Sequence, residues 1–350
     1  MSYRIPGFRH PNLPKNKLGF TTKDYEGAVS TLCAGCGHDS ISAAIREACF
    51  EMSIPPHRVA KMSGIGCSSK TPTYFLGNSH GFNTVHGRMP SVATGANMAH
   101  RDLLYIGVSG DGDTASIGMG QFVHAVRRNV NMVYIVENNG VYGLTKGQDS
   151  ATTDVGSISK KGEPNALEPI DLCSIALQLG ATFVANAFSG DKHQLVPLIQ
   201  AAIAHKGFAF INVVSPCVTF NNVPGSTKSY DYVRQHMASS GTIDFVPHAK
   251  EITTEYEEGS SKNVTMHDGS VIALQKMNPK LDIHSRRSAL ALVKDYKAEG
   301  KVLTGLLFVD PGSQEIHDAM NTSATPLREL DEAQLCPGSE QLEKINQTLR

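Results

Sequence analysis

The chain has 350 residues and a formal net charge of −1, from 32 Lys and Arg against 33 Asp and Glu. That balance leaves no basic surface for nucleic acid or an anionic membrane, and no apolar run reaches spanning length. The length suits one large α/β domain or two modest ones.

Seven cysteines are too few and too scattered for a disulfide framework, which leaves metal binding or catalysis as the better reason for them. The start, MSYRIPGFRHPNLPKNKLGF, carries prolines and charges where an export signal needs an apolar core. A cytoplasmic protein is expected.

Residues 1–30 read as an irregular arm. From Asp39, the spacing of Ile41, Ala44, Ile45 and Ala48 predicts an amphipathic helix capped near Asp39 or Ser40. Residues 58–66 read as a buried strand ending in glycines, 91–100 as a short helix, and 103–113 as a buried strand entering a Gly-rich turn. A helix over 115–128, a strand over 131–139 and a loop rich in Gly, Thr and Lys follow. Next come a helix at 169–180, a strand at 182–188, a helix at 191–205 and a strand at 208–214. Residues 220–280 turn polar and irregular before a helix at 285–296, a strand at 302–310 and a polar tail. Strands alternating with helices at this pace predict an α/β fold, a parallel sheet with helices on both faces. No repeat or crisp linker divides the chain. The working division is an arm (1–30), a binding domain (31–225) and an extension (226–350) that packs on the domain or on a partner.

The chemistry concentrates at strand ends. GDGD, Gly110 to Asp113, closes a predicted strand, where parallel sheets bind ligands. One crossover later Asn139 ends the next strand, 28 positions after Asp111, so both side chains can face one site. A carboxylate and an amide oxygen suit Mg²⁺, which leaves room for phosphate oxygens and water in octahedral geometry. The pattern resembles the thiamine diphosphate motif. That resemblance implies Mg²⁺ held by Asp111, Asn139 and the backbone of Val141, with Gly110, Gly112 and Asp113 in the cofactor turn.

Cys33 and Cys36 form a Cys-x-x-Cys pair, which alone fits a redox dithiol, half a zinc site or half an iron–sulfur site. In order, CAGCGH, SGIGCSSK, HGR, ATG, GDGD, YGLTKGQ and SPC resemble the β subunit of 2-oxoacid:ferredoxin oxidoreductases over about residues 30–220. The likeness is nearest to members that use 2-oxoglutarate. It implies one [4Fe–4S] cluster on Cys33, Cys36, Cys67 and Cys217, for which a tetrathiolate zinc site is the alternative. It also implies a turn at Gly37 and His38 against the cofactor diphosphate. Lys70 and Lys146 would face anionic groups, Lys146 being the first candidate for a substrate's distal carboxylate. His86 and Arg88 would be similarly placed. Cys49 and Cys173 read as ordinary buried thiols, and Cys336 as incidental.

The implied activity is coenzyme A-dependent oxidative decarboxylation of 2-oxoglutarate, or its reversal, with electrons leaving through one cluster to ferredoxin. The glutamate that such enzymes set against the aminopyrimidine ring has no place in residues 220–350. An α subunit is therefore expected to complete the site, giving (αβ)₂. The rival readings are a non-redox thiamine decarboxylase subunit and a zinc-stabilised scaffold.

Overall fold

A computed structural model describes residues 12–158, 163–241, 261–265, 271–275, 281–336 and 338–349. The strands are β1 (Val59–Ser63), β2 (His80–Asn83), β3 (Leu104–Gly110), β4 (Met132–Asn138), β5 (Val141–Tyr142), β6 (Gln148–Asp149), β7 (Phe183–Phe188), β8 (Phe208–Val214), β9 (Met237–Ser239), β10 (Ser261–Thr265), β11 (Val271–Gln275) and β12 (Val302–Val309). The longer helices are α1 (Gly37–Glu51), α2 (Met89–Ala99), α3 (Met119–Arg128), α4 (Leu172–Leu179), α5 (Lys192–Ala204), α6 (Tyr230–His236) and α7 (Arg286–Ala298).

Eight strands form one sheet in the order β2-β1-β3-β4-β8-β7-β12-β9. Every neighbouring pair is parallel except β12 against β7. Side chains alternate along β4 between two cores: Met132, Tyr134 and Val136 face one side, Val133 and Ile135 the other. The first core packs under α2, α3, α4 and α7, the second under α1 and α5. The predicted layers are thus observed, with two strands at one end, β12 and β9, running opposite to the other six.

Three local expectations shift. Helix α1 begins at Gly37, two residues before the expected cap, and Asp39 lies in its first turn. The Gly37 N–H donates to Pro216 O at 3.3 Å, so the loop after β8 supplies the partner a capping side chain would have given. The helix expected over 115–128 divides into a π-helical turn (Gly112–Ile117) and α3, with Gly118 N donating to Asp113 O at 2.7 Å. Part of the stretch expected to be irregular is ordered: α6 and β9 lie at 230–239, and β9 pairs with β12 at the sheet's end. Strands β10 and β11 form an antiparallel hairpin. In the arm, Tyr25 is fully buried in the second core. Residues 1–11 of that arm, and 242–260, 266–270 and 276–280, lie outside the described residues.

Candidate functional site

The carboxyl ends of β1, β3 and β4 and the first turn of α1 enclose a cleft lined by His38, Cys67, Asp111, Glu137, Asn139 and Tyr142, among others. Asp111 follows β3 directly and is 1% exposed. Its Oδ1 accepts from Asn139 N at 3.2 Å, and its Oδ2 accepts from Thr152 Oγ1 at 2.6 Å and from Ser150 Oγ. These donors are all neutral, and burial pushes the carboxyl up from its ordinary value. A divalent cation beside it would supply the missing countercharge. The Asn139 amide oxygen accepts from Val141 N at 3.0 Å, which holds it beside Asp111. A fully buried carboxylate solvated only by dipoles, with an amide oxygen next to it, fits the hard oxygen set that Mg²⁺ prefers.

The two glycines of the turn answer different needs. A Cβ on Gly112 would lie 2.5 Å from the Tyr142 ring, whose hydroxyl donates to Gly112 O at 2.9 Å. A Cβ on Gly110 would meet the Ser68 hydroxyl at 3.1 Å. Asp113 faces away from Asp111's partners: it accepts from Gly87 N at 2.7 Å and from Ser109 Oγ at 2.7 Å. It anchors the HGR turn to the GDGD turn. His86 and Arg88, on either side of Gly87, are exposed.

The four singled-out cysteines come together beside this cleft. Cys33 and Cys36 share a turn closed by Cys36 N donating to Cys33 O at 3.0 Å. Thr219 Oγ1 approaches Cys33 Sγ at 3.4 Å, bringing the Cys217 loop against that turn. A Cβ on Gly143 would lie 3.4 Å from Cys67 Sγ and 3.6 Å from Cys217 Sγ. Burial, reinforced by the neighbouring thiols, pushes Cys36 up to about 12 and Cys67 to about 11. A metal centre would supply the positive charge that favours the thiolates of Cys36 and Cys67. Among the described residues no three His, Cys, Asp or Glu side chains converge tightly enough to hold a single metal ion. One loop ties the two centres: Asn139 and Val141 stand at the clamp, Tyr142 covers its turn, and Gly143 packs on the cysteines.

The other expected residues are distributed unevenly. The Cβ that Gly37 lacks would meet Ser215 Oγ at 2.6 Å and Ser189 Oγ at 2.7 Å, so this glycine lets α1 start against the loop after β8. His38 lies in the cleft wall, with Nδ1 2.6 Å from Ser215 Oγ. Lys70 is half-buried near Cys67, while Lys146 is exposed at the tip of the loop with a left-handed φ of 82°. Neither lysine lines the cleft, nor do His86 and Arg88.

Sequence reasoning missed Glu137. It is fully buried, its Oε2 accepts from Thr71 Oγ1 at 2.8 Å, and its Oε1 has no partner among the described residues. Burial pushes Glu137 well above the carboxylate range and pushes His38 down to about 4. His38 Nε2 approaches Glu137 Oε2 at 3.7 Å, where burial disfavours the charged form of each. The signal was available, because Glu137 is the one charged residue in the strand MVYIVEN. Ser150 and Thr152, which complete the shell of Asp111, carried no comparable mark.

This fold and clamp define the cofactor-binding domain of a thiamine diphosphate enzyme. Residues 64–213 match the family described as thiamine pyrophosphate enzyme, C-terminal TPP binding domain. The chain is 44% identical over 192 residues to a 2-oxoacid:ferredoxin oxidoreductase subunit beta from Sulfolobus sp, covering 55% of this chain and 63% of that one. It is 41% identical over 189 residues to the 2-oxoglutarate synthase subunit KorB of Methanocaldococcus jannaschii, covering 54% of this chain and 69% of that one. A solved 2-oxoglutarate:ferredoxin oxidoreductase from Magnetococcus marinus, with 2-oxoglutarate, coenzyme A and succinyl-CoA bound, superposes with a TM-score of 0.70 at 31% identity. That alignment covers 89% of this chain and 90% of the other. The chain belongs to the β subunits of the 2-oxoacid:ferredoxin oxidoreductases, an enzyme family, although the matched stretch spans under two thirds of the Sulfolobus subunit. Among the described residues no helix is long and apolar enough to cross a membrane.

Proposed function

We propose that this chain is the β subunit of a 2-oxoglutarate:ferredoxin oxidoreductase. It would form succinyl-CoA and CO₂ from 2-oxoglutarate and coenzyme A, or run the reverse carboxylation, and pass single electrons to ferredoxin. The observation that carries this reading is the shared loop: residues 139–143 contact both the oxygen clamp and the thiols of Cys67 and Cys217. A non-redox decarboxylase has no use for that adjacency. When bound, thiamine diphosphate with Mg²⁺ supplies the decarboxylation chemistry, and a [4Fe–4S] cluster supplies a one-electron path.

The chain's own residues do the positioning. Asp111, Asn139 and the Val141 carbonyl would hold Mg²⁺. Cys33, Cys36, Cys67 and Cys217 would hold the cluster. Tyr142 fixes the turn between them, and Asp113 fixes the HGR turn. Lys146, in its left-handed conformation at the loop tip, would meet the distal carboxylate of 2-oxoglutarate, with Lys70 second.

An α subunit is expected to supply the pyrimidine-binding half, pairing into (αβ)₂. Apolar side chains exposed near the clamp support a covered surface here: Val85 at 69%, Leu144 at 49% and Ile117 at 42%. The test is anaerobic assay of this chain, alone and with its α partner, using 2-oxoglutarate, pyruvate, coenzyme A and ferredoxin. Ferredoxin reduction should need both chains and favour 2-oxoglutarate in kcat/KM. Turnover by the lone chain, or a clear preference for pyruvate, would overturn the reading.

A further inference from the structure

A second cavity, open on one side and about 330 Å³ in volume, lies under the loop that carries Thr152, between α4, α7 and the sheet. Its floor is a row of asparagine side chains from three adjacent strands: Asn138 on β4, Asn212 on β8 and Asn186 on β7. They bond in series. Asn138 Nδ2 donates to Asn212 Oδ1 at 3.2 Å, Asn212 Nδ2 to Asn186 Oδ1 at 2.7 Å, and Asn186 Nδ2 to Leu303 O at 2.6 Å.

Each primary amide has two N–H donors and an oxygen with two lone pairs. The series spends one donor of each amide, so every one retains an N–H. Asn186 and Asn212 also keep acceptor capacity, since each oxygen takes one bond in the series. Buried amides in an apolar core are costly unless that remaining capacity is met. Asn138 is 6% exposed and Asn212 8%. The walls are apolar, from Leu172, Val293 and Leu307, while Lys228 and Lys297 stand among the lining residues. Lys228 is bonded to Asp154 at 2.8 Å; Lys297 is exposed.

We propose that this cavity binds an adenine nucleotide. Amide groups that both donate and accept match the edge of adenine, the base asparagine pairs with through N6 and N7. The apolar walls suit the ring faces, exposed Lys297 suits phosphate, since Lys228 is engaged by Asp154, and the size is that of a small-molecule site. The adenine could belong to a free nucleotide or to the adenosine 3′,5′-diphosphate end of coenzyme A; the shared chemistry is adenine with phosphate. The site meets the clamp through Thr152, whose Oγ1 lies 2.6 Å from Asp111 Oδ2 and 3.1 Å from Asn138 Oδ1, and it does not depend on the reaction proposed above.

The test is calorimetric titration of the whole chain with ADP, adenosine 3′,5′-diphosphate, coenzyme A and, as the pyrimidine control, UDP. Asn212→Leu and Lys297→Glu are titrated in parallel. ADP should bind, UDP should not, and each substitution should weaken binding about tenfold or more. Binding of adenosine 3′,5′-diphosphate and coenzyme A without ADP, with the same sensitivity to both substitutions, would assign the site to coenzyme A and equally support it. Lys297→Glu is a surface change and keeps the test decisive if Asn212→Leu fails to fold. No heat with any adenine ligand, equal affinity for UDP, or affinities unmoved by Lys297→Glu would overturn the proposal.

Discussion

Asp111→Asn separates the charge of the clamp from its architecture. In the wild type, Oδ1 takes the Asn139 N–H and Oδ2 takes two hydroxyls, those of Ser150 and Thr152. Asparagine keeps an oxygen for the rigid backbone donor and presents its NH₂ to two hydroxyl oxygens that can rotate and accept. The fold should therefore lose no more than about 1 kcal/mol. Alanine, by contrast, orphans the buried Asn139 N–H and should cost roughly 1–3 kcal/mol. Ligand binding divides the variants differently. At a hundred times Kd, thiamine diphosphate with Mg²⁺ adds about 2.7 kcal/mol to wild-type stability. Neither variant should gain it, because the only charged ligand for the cation is gone. Thermal unfolding with and without Mg²⁺ and thiamine diphosphate checks this. An Asp111→Asn protein whose melting temperature still rises as far as the wild type's on adding the cofactor would refute the clamp.

Acid sensitivity gives a second check. His38 is held neutral, with its pKa pushed from 6.5 down to about 4. Its stabilising contribution is complete above pH 6.5 and is lost as pH falls toward 4, by up to about 3 kcal/mol. Glu137, pushed the other way, offsets part of that slope in the wild type, so the comparison to make is between wild type and His38→Gln. Urea unfolding at pH 7.5 and 5 should show a smaller acid loss in His38→Gln, and equal losses would contradict burial of a neutral imidazole. Lys146→Ala should lower kcat/KM for 2-oxoglutarate while leaving that for pyruvate nearly unchanged, as steady-state assay of the αβ complex will show; equal losses for both substrates would remove Lys146 from recognition of the distal carboxylate.

Much of the architecture was legible because strand and helix alternated with clean periodicity. The strand 208–214 coincides with β8, and the helix at 191–205 differs from α5 by one residue at each end. The meeting of Asp111 and Asn139 was legible for the same reason, since each ends a strand of strong apolar character. Elements set by distant contacts were not. Strand β2 carries no buried residue, so it left no hydrophobic pattern to read. The start of α1 depends on Pro216, and the antiparallel placement of β12 depends on where β7 lies. In the site, Gly143 looked like one glycine among several in its loop. Only the fold shows that it lies against the sulfurs of Cys67 and Cys217. The asparagine row is invisible in sequence, because its members stand 48 and 26 positions apart and meet only through strand order.

Four cysteines are proposed to hold an iron–sulfur cluster one loop away from the diphosphate clamp. Iron, acid-labile sulfide and zinc measured on anaerobically purified chain test it most directly, with electron paramagnetic resonance after dithionite reduction. About four iron and four sulfide per chain and a reduced-cluster signal are expected, both abolished in Cys217→Ser. Stoichiometric zinc without iron, or full iron retained in Cys217→Ser, would contradict it.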